Sequence, residues 1–430
     1  MTPDQIDAWP ESLWFDTAIP LQDQPVLEGL IDTEVAVIGA GYTGLSTALH
    51  LAESAVETVV IDKVQPGWGC SGRNGGQINP NWKVLPEDIK KFYTTSGFEQ
   101  MIGVVNQTCD LVFDLIDRYQ IDCQAIKPGY ILGIIGRAGM NFVQSWTDQW
   151  RVAGADVELL SRDAIATMLG TSHYDGGMLD HRGGSLQPLS YARGLASACL
   201  QNGARIYGNS PVLSISASNG GWRIKSAAGE VQCRKLIIGM NGYTDASWAG
   251  LAQNIIPVAS LISATEPLPE AIARDIIPGR NAVSESGGVP HYYRMDENNR
   301  MVFGGRGTVF GHTGNLDTTA LRNKAIELYP QLRDVKWEYD WGGYVAMTTH
   351  HRPMLLHLAD NVYAGLGYNG RGVAMATMMG KQLAMVARGE TPELAMEQPK
   401  RIPLHGFHNL GIAARVISGH LVDACTSRIG

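Results

Sequence analysis

Three glycines, Gly39, Gly41 and Gly44, stand at G-x-G-x-x-G spacing, and Asp62 follows roughly 20 residues on. These types and intervals suit a dinucleotide. The first glycine permits a tight turn, the second lets backbone approach a pyrophosphate, and the third lets a helix pack close on a strand. The acid sits where a ribose hydroxyl needs an acceptor. Tyr42 and Thr43 inside the turn and Lys63 beside the acid join the candidate contacts. A second glycine-rich run, Gly67 to Gln77 (G-W-G-C-S-G-R-N-G-G-Q), is too rich in glycine for a helix and too long for a hairpin. Backbone freed of side chains over that length suits a flat polar ligand. An NAD site does not usually need such a loop directly after its acidic strand, so the pair favours FAD. Ser71, Gly72, Arg73, Asn74, Gly75, Gly76 and Gln77 are its contacts. A plain surface loop is the alternative, and it leaves Arg73 and Asn74 among five glycines unexplained.

The elements that must position these residues can be read around them. Val35 to Ile38 is short, apolar and β-branched, as a parallel strand buried on both faces should be. Leu45, Ala48, Leu49 and Ala52 recur at helical spacing after the turn, so a helix N-terminus faces the phosphates. Thr58 to Ile61 is the strand that delivers Asp62. Further on, Lys235 to Gly239 runs into Asn241 and Gly242, and Val362 to Gly367 runs into Tyr368-Asn369-Gly370-Arg371-Gly372, with a helix from Val373. Strand, glycine turn and helix thus occur again near the C-terminal end. Between these visits Pro86 to Tyr119 and Met140 to Gly154 read as helices, Gly129 to Gly136 as a strand, and Pro211 to Ile215 as a strand before a turn at Asn219-Gly220-Gly221. Val258 to Ala264, His291 to Met295 and Arg300 to Gly304 read as an antiparallel sheet.

The fold class expected is therefore α/β: a doubly wound, Rossmann-like FAD domain with a second, mixed or antiparallel-sheet substrate domain of α+β character. The expected divisions are an N-terminal arm at 1–30, a discontinuous FAD domain at 31–85, 176–250 and 341–398, a substrate domain at 86–175 and 251–340, and a C-terminal helical segment at 399–430. The arm carries Trp9, Trp14 and Phe15 and reads as extended and packed by its aromatics; Leu404 to Ala424 reads as an amphipathic helix.

Composition narrows the function classes. The 430 residues carry a formal net charge of -8, which argues against nucleic acid as a partner. Charged residues make up 18%, as in a globular enzyme rather than a disordered chain. Six cysteines without a C-x-x-C suggest neither a zinc site nor a disulfide framework, and a reducing cytoplasm is the simplest location. Met1 to Pro10 has no apolar run, so no signal peptide is expected, and no stretch is long and apolar enough for a transmembrane helix. Oligomeric state is not legible.

On these motifs the chain resembles the D-amino acid oxidase and glycine oxidase superfamily of flavoenzymes, and S-G-R-N-G-G-Q (Ser71 to Gln77), A-T-E-P-L (Ala264 to Leu268) and F-G-G-R (Phe303 to Arg306) are similar to its gamma-glutamylputrescine oxidase branch. The resemblance implies that Val212 meets the adenine through its backbone, that Asn241-Gly242 crosses the cofactor a second time, and that Gly367, Asn369, Gly370, Arg371, Gly372 and Val373 border the flavin pyrimidine edge. It also implies the chemistry: hydride passes from the carbon beside a neutral amine to flavin N5, the imine hydrolyses, and oxygen is reduced to peroxide. Two departures stand out. The sarcosine oxidases of this superfamily attach flavin to a cysteine in a segment resembling Trp341 to Thr349, which has none here, so FAD is expected to be non-covalent. They also activate oxygen with a lysine on the strand resembling Met301 to Arg306, and this strand has none.

For substrate orientation the candidates are Arg306, Tyr293, Arg294, Tyr344 and Tyr368, since an arginine fork matches two carboxylate oxygens. For each arginine the alternative is an ordinary interdomain residue. Arg371 reads either as a cation beside reduced flavin or as a substrate anchor. Adjacent His350 and His351 point in different directions and lack a partner at metal spacing, so no metal is expected. The function expected is an FAD-dependent oxidase of a small anionic amine: a gamma-glutamylated polyamine, sarcosine or iminodiacetate, with oxygen as acceptor. A dehydrogenase feeding a quinone or protein acceptor is the first alternative and a non-catalytic flavoprotein subunit the second.

Overall fold

The computed structural model describes residues 8–286, 290–306 and 316–408. Its organising strand is Gly29–Ile38. Val35 and Val37 point into one apolar cluster while Ala36 and Ile38 point into another on the opposite face, so the run is apolar because both faces are covered. Gly229–Ile238 pairs parallel on one side of it and Thr58–Ile61 on the other; Val362–Leu366 and Arg205–Tyr207 extend the parallel order outward. Antiparallel Met354–Ala359, the short edge strand Met396–Glu397 beside it and the hairpin Ser214–Ser218/Gly221–Lys225 complete this nine-stranded sheet. Asn219 turns the hairpin at φ 49°. The strand expected from Pro211 begins only at Ser214, as befits a proline that cannot donate to a ladder.

Helix Tyr42–Ala52 packs against Gly372–Ala387, although some 330 residues of chain separate them. The close crossing is possible because Gly380 lacks a side chain: a Cβ there would stand 2.5 Å from Ser46 Cβ. Ser46 Oγ donates to Thr377 O across the contact (2.6 Å). Thr95–Tyr119, expected in the substrate domain, lays Val104, Val105, Val112 and Leu115 into this same core, because its apolar stripe finds Met375 and Met379 of the later helix. The methionines are core.

The second sheet has eight strands in the order Trp337–Met347, Ile256–Thr265, Met301–Arg306, His291–Met295, Ala282–Ser286, Tyr130–Ile134, Gly176–Asp180, Val157–Leu160. It is antiparallel except where Ala282–Ser286 meets Tyr130–Ile134. Sheet membership moves two expected boundaries: Gly176–Asp180 pairs here, and so does Trp337–Met347 along its whole length. The chain re-enters the first sheet at Met354 rather than near residue 341. The N-terminal arm is not wholly extended. Ser12 accepts from Phe15 N and starts a one-turn helix, Leu13–Thr17, that buries Leu13 and Trp14. The amphipathic helix expected over Leu404 to Ala424 falls mostly outside the described residues; within them the chain makes one turn, His405–Phe407. Among the described residues no helix is long and apolar enough to cross a membrane.

Candidate functional site

A cavity of about 2560 Å³ lies between the two sheets, and three crossings of the chain converge on it. This is the crevice beyond the carboxyl ends of parallel strands, where open α/β sheets hold ligands. At the first crossing Gly39 (φ +100°) donates to Ile61 O (2.8 Å). Asp62 accepts from Ala40 N (2.7 Å) through Oδ2 and from Val64 N (2.9 Å) through Oδ1. The acid therefore braces the glycine turn as well as lining the cavity. Burial pushes its carboxyl up, and those two amides pull it back. Gly41, Tyr42, Thr43 and Lys63 line the wall, whereas Gly44 is buried under Gly39 O, with no room for a Cβ.

The second glycine loop is held by its own asparagine. Asn74 Nδ2 donates to Cys70 O (3.1 Å), Ser71 O (3.0 Å) and Tyr42 Oη (3.3 Å), and its Oδ1 accepts from Gly76 N (2.8 Å). Ser71 Oγ accepts from Tyr42 N at the start of the first helix (3.0 Å). Arg73 donates to Trp68 O (2.8 Å) and lies over the Trp68 ring at 4.4 Å, while its Nη2 is buried without a partner among the described residues. Gly75 and Gln77 line the cavity; Gly72 and Gly76 do not, since backbone carbonyls of Gly67 and Leu186 crowd them. Gln77 Nε2 donates to Val283 O and Tyr293 O, which ties the loop to the second sheet.

At the other crossings Asn241 Oδ1 accepts from Gly367 N (2.9 Å), and Asn369 Nδ2 donates to Gly367 O (2.6 Å). Thr43 Oγ1 and Tyr368 Oη share a hydrogen bond (2.6 Å) that joins the first turn to the third. Arg371 donates to Pro80 O and lies 5.6 Å over the Tyr130 ring; its Nε is buried and unpartnered among the described residues. Val212, Gly242, Gly370, Gly372 and Val373 line the cavity, and Gly367 lies behind it.

Of the substrate candidates, Arg306, Tyr344 and Tyr368 reach the cavity wall. Tyr293 and Arg294 do not. Tyr293 is fully buried on the outer face of the second sheet, stacked on Phe303 (5.3 Å) and bonded to Tyr174 Oη (2.8 Å). Its neighbour Tyr292 takes the inner face, where Tyr292 Oη meets Ser260 Oγ (2.9 Å) and the ring covers Gly75. Arg294 Nε donates to Gly75 O (2.8 Å) and Nη2 to Leu186 O (2.7 Å), with the guanidinium 4.9 Å over Trp14. Trp14 Nε1 in turn takes Asn74 O (2.8 Å). Two consecutive loop carbonyls are thus drawn away from the cavity by a cation and an indole. Arg294→Met should weaken FAD binding by about tenfold or more, since hydrogen bonds to a charged group contribute about 1.5–3 kcal/mol each. A flavin-fluorescence titration checks this, and unchanged affinity would make Arg294 a core filler.

Sequence reasoning missed Lys83. It lines the cavity between the sheets, its side chain exposed to the cavity space beside Gly370. Burial first, then Arg371 and Arg306, lower its ammonium to about 8. Asn81 anchors its loop at φ +64°, accepting from Arg182 Nη2 (2.8 Å) and donating to Asp180 Oδ2 (3.0 Å). A lone lysine in N-P-N-W-K carries no motif, so only the fold could reveal it. Among the described residues no group of three His, Cys, Asp or Glu side chains could hold a metal.

The residues fit FAD. The cavity is long enough to be touched by three crossings, and two buried guanidinium nitrogens, Arg73 Nη2 and Arg371 Nε, await acceptors. Residues 34–385 match the family described as DAO, FAD dependent oxidoreductase. The chain is 33% identical over 363 residues to the gamma-glutamylputrescine oxidoreductase of Escherichia coli (strain K12), covering 84% of each. It is 31% identical over 426 residues to the probable oxidoreductase OrdL of Haemophilus influenzae, covering 97% of this chain and 95% of that one. Its fold is similar to the crystal structure of glycine oxidase from Geobacillus kaustophilus, with TM-score 0.69 and 19% identity over 84% of this chain and 95% of that chain.

Proposed function

The chain belongs to the DAO family of FAD-dependent oxidoreductases, which act on amine and amino-acid C–N bonds, and from that premise we propose that it is an oxidase of a small anionic amine, with gamma-glutamylputrescine the first candidate. The observation that carries the reading is the cationic end of the cavity, where Lys83, Arg371 and Arg306 line the wall and the two arginines act on the lysine. A carboxylate bound there gains charge-assisted hydrogen bonds, bidentate at an arginine. Tyr130, Leu132, Phe142 and Trp146 offer an apolar wall for an aliphatic stem, and the Tyr292–Ser260 pair offers hydroxyls. The likeness to a gamma-glutamylputrescine oxidoreductase favours that substrate over sarcosine or iminodiacetate.

Bound FAD would supply the hydride acceptor and pass the electrons to oxygen. Asp62, Ser71, Arg73, Asn74 and Gln77, with the amino end of helix Gly372–Ala387, are the groups we assign to hold it. Non-covalent attachment is consistent with the cavity's wall: among the described residues its one cysteine is Cys70, whose thiol burial pushes up to about 11. Such a thiol is a poor nucleophile at neutral pH.

Peroxide release in air from the yellow protein tests the reading with gamma-glutamylputrescine, sarcosine, iminodiacetate, glycine and D-amino acids. The expected result is strong release with gamma-glutamylputrescine and weak release with the rest. The absence of a lysine on Met301–Arg306 favours a second reading, a dehydrogenase. Bleaching without air, followed by slow recovery in air and no peroxide, would establish that one instead.

A further inference from the structure

Lys83 shares the cationic end of the cavity with Arg371 and Arg306, and burial and these neighbours lower its ammonium to about 8. The Tyr292 phenol is pushed up by burial. His291 and Glu285, bonded to each other on neighbouring strands, also line the cavity. Lys83 stands against the turn before helix Gly372–Ala387, where an added Gly370 Cβ would lie 3.7 Å from Nζ. Its loop is fixed from below, since Arg371 holds Pro80 O and the Arg182–Asp180 pair holds Asn81. The amine thus sits where the nucleotide domain meets the second sheet.

We propose that Lys83 is the proton acceptor that converts the bound substrate's ammonium to the neutral amine before its C–N bond is oxidised. The proposal rests on the amine-oxidase reading. Small aliphatic amines reach the site as ammonium ions at neutral pH. The nitrogen of an ammonium has no lone pair, and oxidation of C–N to C=N needs that pair to form the new bond as hydride leaves the carbon. In the transfer one N–H bond of the substrate breaks and its electron pair stays on the substrate nitrogen. The proton forms a fourth bond at Lys83 Nζ. Arg371 and Arg306, together with burial, make the neutral lysine accessible, and a substrate carboxylate among the three cations favours the protonated lysine that results. The Arg182–Asp180 pair beneath the loop, Tyr130 beside Arg371, and the bonded His291 and Glu285 on the cavity wall are further ionisable groups around it among the described residues.

The test compares wild type, Lys83→Met and Lys83→Arg, each loaded with FAD, by anaerobic mixing with gamma-glutamylputrescine from about pH 6 to about pH 10. The wild-type bleaching rate should rise with pH through an apparent pKa near about 8. Both variants should bleach about 10²–10⁴-fold more slowly near neutrality. The deficit should shrink towards about pH 10, where the free amine arrives neutral. A merely structural role gives a deficit equal at every pH, and that result, or variants as fast as wild type, overturns the proposal. Acetylation of Lys83 in the wild type, followed by mass spectrometry, gives a readout without turnover. It should be half-maximal near about 8, and a midpoint at the ordinary value of about 10.4 would also overturn the proposal. A wild type bleached by none of the amines sinks the substrate reading, whereas a bleaching wild type beside unaffected variants sinks only the role of Lys83.

Discussion

Gly44→Ala should yield protein without bound flavin. An alanine Cβ there would stand 1.8 Å from Gly39 O and 3.2 Å from Val37 Cγ1, so the obstacle is backbone, not a side chain that can rotate away. Gly39 cannot yield, because its N–H is committed to Ile61 O and its neighbour Ala40 to Asp62. Nor can the helix slide outward freely, since Ser46 on its far side meets Gly380 and Thr377. Overpacking of a core costs about 1–3 kcal/mol and sometimes more, and a backbone collision belongs at the top of that range. The same displacement would carry the helix amino end away from the cavity. The flavin absorbance band and the melting temperature measure both effects. A yellow, normally stable Gly44→Ala would show that helix Tyr42–Ala52 can shift by more than an ångström without loss of the site.

Asp62→Ala should lower FAD affinity by about two orders of magnitude while the protein still folds. The carboxylate organises two backbone amides, and the change leaves both without their acceptor. Charge-assisted bonds of this kind contribute about 1.5–3 kcal/mol each, and about 1.4 kcal/mol is a factor of ten. Asp62→Asn is the informative companion. Its oxygen can serve one amide, but its NH₂ then faces the other donor, so its affinity should fall between wild type and alanine. Equilibrium titration with FAD reads the series. Full flavin retention in Asp62→Ala would remove the residue from the cofactor site.

The contrast between what the sequence disclosed and what it hid follows from the range of the forces involved. Gly39, Gly41, Gly44 and Asp62 announce themselves because a tight turn, a close helix and an acceptor are local requirements. The turn at Asn369 was legible for the same reason, as strand, glycine turn and helix, whereas the crossing at Asn241 was expected only from the resemblance. Tyr292 and Tyr293 could not be told apart, because a strand turns alternate side chains to opposite faces and adjacent tyrosines carry no mark of which face meets the cavity. Tyr293 went to the core and Tyr292 to the site. Arg294 looked like a carboxylate clamp, but its partners are the carbonyls of Gly75 and Leu186, 219 and 108 residues away in the chain. Lys83 carried no local mark, since the burial, Arg371, Arg306 and Gly370 that surround it are brought together only in the folded chain.

The contact between helices Tyr42–Ala52 and Gly372–Ala387 also orders events during synthesis. The glycine turn emerges from the ribosome early, but the helix that covers its flank is the last helix of the nucleotide domain to be made among the described residues. Until then Leu45, Ala48 and Leu49 lack much of their cover, and the wall bearing Asn369 and Arg371 does not exist. Long-range pairing of this kind is slow and leaves apolar surface open to aggregation. A nascent chain shorter than about 370 residues therefore has no flavin pocket to fill, and cofactor capture belongs to the nearly complete polypeptide.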